Sequence, residues 1–178
     1  MSASEDYGPG VALDWSVKAM NEAADRINKV AASDLPRAFA AIGEAVWWIT
    51  IVNDTLRHTH RAAYEQAAVL TSPGPADTLN GLRSVRNRIG HKVDLVDFLQ
   101  PVASRQWSAD DRITAWAWRT VPPPEQDGRT NRQHQRDLEL HQAYQRALAN
   151  QNIWQPFTLA QGFFGQVFRV LSGEIGTA

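Results

Sequence analysis

The chain contains no cysteine. That absence removes disulfides, thiolate nucleophiles, iron–sulfur clusters and cysteine-bound zinc together. Lysine is scarce at three residues, and methionine at two. No uninterrupted apolar run approaches the ~18 residues of a membrane-spanning helix. The opening MSASEDYGPG carries acid but no basic segment ahead of an apolar stretch, unlike a secretory signal. A cytoplasmic protein with no membrane partner is the expectation. Net charge is nearly missing as well, since 18 basic side chains against 19 acidic ones leave −1. Whole-molecule steering toward nucleic acid is therefore excluded, while a local basic site is not.

What is present points to a globular fold. At 178 residues with 43% apolar side chains, the chain suits one domain with a sizeable core. Arginine supplies 15 of the 18 positive charges, and its planar fork suits bidentate contact with phosphate. Seven tryptophans are expected mainly in the core.

Residues 1–10 read as a flexible tail, and residues 11–178 as a single all-helical domain. Leu13, Val17, Met20, Ala24 and Ile27 form the first amphipathic stripe. Ser33 or Asp34 caps a second helix, with Pro36 tolerated in its first turn. Leu35, Phe39, Ile42, Val46, Ile49 and Val52 then recur at helical spacing. Trp47 and Trp48 widen that stripe, and an interruption is expected near Asn53–Thr55. A turn at 71–75 precedes a helix carrying Leu79, Leu82, Val85 and Ile89. The segment 112–121 is ambiguous. Alternation of Thr114, Trp116, Trp118 and Thr120 suits a strand, while the acid-rich cap before it favours a helix, the reading adopted here. Residues 122–131 form a breaker-rich, mobile loop. Another helix follows, with Leu138, Ala143 or Tyr144, and Leu148 inward. A final helix carries Phe157, Phe164, Val167, Phe168 and Leu171 at helical spacing, with Phe163 beside them. The architecture expected is an all-α bundle of at least four main helices.

Chemistry concentrates between Arg83 and Lys92. Arg83, Arg86, Arg88 and Lys92 fall there with no acid before Asp94, which makes a local anion-attracting point. A solvated basic face is the plainer account of the same residues. On a helix that persists to His91, Asn87 and His91 share a face, whereas Arg86 and His91 diverge by about 140°. The functional ends of Arg86 and His91 then meet only through the length of the arginine, a break at Gly90 or a second subunit.

The run Arg86-Asn87-Arg88-Ile89-Gly90-His91 resembles the defining motif of the HEPN superfamily, an arginine and a polar residue followed by a histidine. The pattern recurs at Arg129 to His134 and at Arg136 to His141. The first match is preferred because it follows an amphipathic helix and lies in the basic cluster, whereas Glu139 accompanies the third. The resemblance implies an all-helical, HEPN-like bundle that pairs its motif helices in a homodimer. It implies a metal-independent endoribonuclease, often a toxin or defence factor, in which a ribose 2′-hydroxyl attacks the adjacent phosphate. Arg86, Asn87 and His91 would be catalytic, and Arg83, Arg88 and Lys92 would hold RNA. No cofactor or metal is called for, and DNA would not be cleaved. The same family contains inactive dimerisation and binding modules, so a protein partner or antitoxin is the other expectation. His134, Asp137 and His141 align on one helix, but they are expected to be a solvated face.

Overall fold

In the computed structural model of the chain, the described residues are 9–30, 34–71, 74–89, 95–102 and 116–174. Among them six α-helices and one two-stranded sheet are formed, an all-α bundle. Helix α1 spans Pro9–Lys29 and buries Leu13, Met20, Ala23, Ala24 and Ile27, so it begins two residues before the expected Val11. Its inner face lies on α2, Leu35–Thr59.

The Asp34 carboxylate caps α2 by accepting from the Arg37 amide at 3.4 Å; Ser33 lies outside the described residues. Ala38, Ala41, Ile42, Ala45, Val46, Ile49, Val52 and Leu56 form the buried stripe of α2. The alanines let neighbouring helices approach closely. By length and composition α2 could cross a membrane, yet 44% of its most apolar window is buried inside the fold. The expected interruption near Asn53 does not occur. Asn53 is buried, its side-chain oxygen accepts from the Tyr64 hydroxyl at 2.8 Å, and the helix continues to Thr59. The chain bends at His60 instead, into α3, Arg61–Leu70.

Helix α4, Ala76–Arg88, buries Leu79, Leu82 and Val85 and packs against both α2 and α5, Asn131–Ala147. The approach to α5 is tight. A Cβ on Gly81 would lie 2.6 Å from Leu148 Cδ1 and 3.1 Å from Tyr144 Cα. Thr130 and Gln133 close a reciprocal capping box at the start of α5. Helix α6, Gln155–Leu171, buries Phe157, Phe163, Phe164 and Val167 and lies against α3 and α4. Tyr64 meets Phe163 edge to face at 4.9 Å.

The helix expected over 112–121 is corrected where it is described. Trp116–Trp118 is a strand, β2, antiparallel to β1, Leu99–Pro101, which follows a single 3-10 turn at Leu95–Phe98. Residues 111–115 lie outside the described residues, as do the cap residues Ser108–Asp110. The strand wins because its partners are distant in sequence. Leu99 pairs with Trp118, while the Trp118 amide donates to the Gln151 carbonyl at 2.9 Å and Ile153 donates to the Trp116 carbonyl at 2.9 Å. Trp118 is fully buried beside Tyr144 and Phe157.

The chain beyond β2 is tied to the helices. The carbonyls of Arg119, Val121 and Pro122 accept from the Tyr144 hydroxyl, from Gln145 Nε2 at 2.9 Å and from Arg88 Nη1 at 2.9 Å. A turn with positive φ at Asp127 (41°) and Gly128 (69°) leads into α5, which starts at Asn131. The inner face of α5 also differs from expectation. Leu140 and His141 are buried with Ala143, Tyr144 and Leu148, and Leu138 is half-buried. His141 is therefore no part of a solvated face.

Candidate functional site

Spacings of three and four put Arg83, Arg86 and Asn87 on one side of α4. That side opens into a cleft of about 720 Å³, walled by α2, α4, the first turns of α5 and the loop at Pro124. Five arginines line it: Arg83, Arg86 and Arg88 from α4, Arg129 from the loop and Arg136 from α5. Two aspartates, Asp54 and Asp137, face them.

The arginines divide by what holds them. Arg83 has only 15% of its side chain exposed and is paired with Asp54, so it forms part of the cleft floor. Arg129 is paired with Asp137. Arg88 reaches beneath the loop, donating to the Pro122 carbonyl, with its guanidinium 5.4 Å from the centre of the Phe98 ring. Burial pulls the Arg88 pKa below its ordinary value, opposed by Tyr144 and aided by the charge of Arg129. Arg86 is exposed, its guanidinium 4.5 Å over the Trp47 ring and its Nη1 3.3 Å from Asn87 Oδ1. Neither Arg86 nor Arg136 is paired with an acid among the described residues. Arg88 has no acid partner there either, so three of the five cleft arginines keep their charge, Arg86 and Arg136 being the more exposed.

Of the residues singled out from sequence, Arg83, Arg86, Asn87 and Arg88 all line this one cleft. His91 and Lys92 lie outside the described residues. Five aromatic or charged cleft residues lie outside the site expected from sequence: Trp47, Asp54, Arg129, Arg136 and Asp137. Trp47 was placed in the core by its stripe, but it is 48% exposed. Asp54 sits 29 residues from Arg83, and Asp137 pairs with a loop arginine, so the cleft is less purely basic than the acid-free run suggests. Arg136 carried a signal, as the first residue of the third motif match.

Among the described residues, no histidine lines the cleft. His141 lies just behind it, its ring parallel to Tyr144 within 14°. Burial lowers the His141 pKa, and the charge of Arg88 lowers it further. Asp137 is engaged by Arg129 rather than by the two histidines flanking it. Among the described residues no three His, Asp or Glu side chains are grouped as metal ligands. A second, smaller cleft of about 410 Å³ adjoins through Asp54 and is lined by Arg57, His58, Arg61, Tyr64 and Glu65. Taken together, the described residues of the main cleft can bind and orient an anion.

No protein-family model matches the chain, and neither a curated protein nor a solved structure does.

Proposed function

We propose that the cleft holds the phosphodiester backbone of single-stranded RNA and that His91 completes it as a metal-independent endoribonuclease. The observation that carries this reading is the gathering of five arginines against two aspartates in a chain whose net charge is −1. The arginines that resemble the family motif belong to that gathering. Arg86 would bear on the phosphoryl oxygens as their charge grows, with Asn87 beside it as a neutral hydrogen-bonding group. His91 suits proton transfer near neutral pH. In the reaction the 2′-oxygen bonds to phosphorus as the bond from phosphorus to the 5′-oxygen breaks. The 2′ proton is lost and a proton reaches the leaving oxygen, giving a 2′,3′-cyclic phosphate and a 5′-hydroxyl.

The family resemblance also implies a homodimer pairing two α4 helices, in which the His91 of one subunit would serve the Arg86 of the other. Helix α4 itself ends at Arg88, with Ile89 extended, so no helical angle relates Arg86 to His91. A toxin or defence role, checked by an antitoxin, follows from the same resemblance. The test is cleavage of a panel of single-stranded RNAs, tRNA included, in excess EDTA, with DNA of matching sequence alongside. The reading expects cyclic-phosphate ends from RNA and intact DNA. RNA left whole across the panel contradicts it.

One observation favours a second reading. Arg83, Arg88 and Arg129 already have partners inside the fold, as they would in a binding or dimerisation module without catalysis. Such a module would bind RNA or a protein partner and leave the panel intact.

A further inference from the structure

Trp47 is a large apolar side chain that the core does not use. Its neighbours Val46, Ile49 and Thr50 are buried in α2, whereas Trp47 is 48% exposed at the cleft wall. Its ring instead carries the Arg86 guanidinium at 4.5 Å.

We propose that Trp47 is a positioning residue for Arg86, fixing the guanidinium without neutralising it so that Arg86 presents a free charge to a phosphate group. This deepens the reading of the cleft as a phosphate site and rests on it. A carboxylate also orients an arginine, as Asp54 does for Arg83 and Asp137 for Arg129. It cancels the charge in doing so. An aromatic face attracts the cation through its quadrupole without supplying a counter-charge. Arg86 has that face and the Asn87 amide oxygen as its contacts, and neither removes its charge. The fork is thereby held ready for bidentate contact, with less freedom left to lose on binding.

The test uses the whole chain and inorganic pyrophosphate as probe, followed by NMR of the arginine Nε–H groups. In the parent the Arg86 signal should be displaced by the indole ring and should move as pyrophosphate is added. Trp47→Leu should return that signal toward the position of a free arginine and weaken pyrophosphate binding about two- to five-fold, the scale of an exposed cation–π contact. Trp47→Phe keeps an aromatic face and should recover most of the affinity. In an Arg86→Ala background, Trp47→Leu should add nothing. Undiminished binding by Trp47→Leu overturns the proposal. So does a further loss in the Arg86→Ala background, because Trp47 would then touch the ligand itself. A parent that ignores pyrophosphate overturns it too. Pyrophosphate binding with the expected pattern, but no RNA cleavage, leaves the proposal standing and removes the nuclease reading alone.

Discussion

His141 is the side chain whose environment departs most from its sequence context. It is 8% exposed on a helix of mostly polar composition, and its Nε2 lies 3.4 Å from Gln145 Nε2. If Gln145 donates there, Nε2 must be the unprotonated ring nitrogen. Protonation would then set two donors face to face, beside the charge of Arg88. Burial and Arg88 both hold the folded-state pKa below the ordinary 6.5. The unfolded chain therefore takes up a proton at a pH where the folded one does not, and stability falls as pH drops below 6.5. Asp77, whose pKa is lowered by Arg146, acts only near and below its ordinary 3.8, outside this window. Urea midpoints at about pH 7.5 and about pH 5.5 should differ in the parent and differ less in His141→Phe, which keeps a ring against Tyr144 but cannot titrate. Equal pH dependence in both proteins would show that His141 is not held neutral. At Arg86, lysine keeps the charge but not the fork, so Arg86→Lys should restore only part of the RNA affinity lost in Arg86→Ala. Full restoration in an equilibrium binding titration would mean that charge alone is read.

At the scale of helices and strands, Gly81 decides how closely α4 meets α5. In an open helix, glycine to alanine stabilises by about 1 kcal/mol. Here the new methyl would meet Leu148 and the Tyr144 backbone, so Gly81→Ala should destabilise by about 1–3 kcal/mol, the usual range for overpacking. A raised melting temperature would show that α5 can move away freely. The same scale explains what could be read from sequence. The stripes of α1, α2, α4 and α6 are local, repeating every three or four residues, and they mark buried faces directly. The Arg86–Asn87 pair was legible for the same reason, since one helix face carries it into the cleft. Partners far along the chain leave no such trace. Arg83 finds Asp54, β2 finds β1 and residues 150–153, and three carbonyls after β2 find Tyr144, Gln145 and Arg88. The tertiary pairing of β2 overrode a helix reading based on a nearby cap. Trp47 misled because a tryptophan beside an apolar stripe reads as core until the neighbouring helix is placed.

At the scale of the whole molecule, a chain of net charge −1 gathers five arginines against two aspartates in one cleft, and this makes binding local and sensitive to salt. Sedimentation over a concentration series should show a homodimer if each site draws on two subunits, as the family resemblance implies. A monomer persisting at about 100 μM, far above ordinary dimer dissociation constants, would remove the composite site. The central claim is that the cleft binds RNA and His91 moves the protons. Its most direct test is the single-turnover cleavage rate of one responsive single-stranded RNA in excess EDTA, compared between the parent and His91→Ala. The account predicts a fall of ~10²–10⁴-fold, the range for removing a general acid–base group, with RNA affinity largely kept. An unchanged rate in His91→Ala would contradict it.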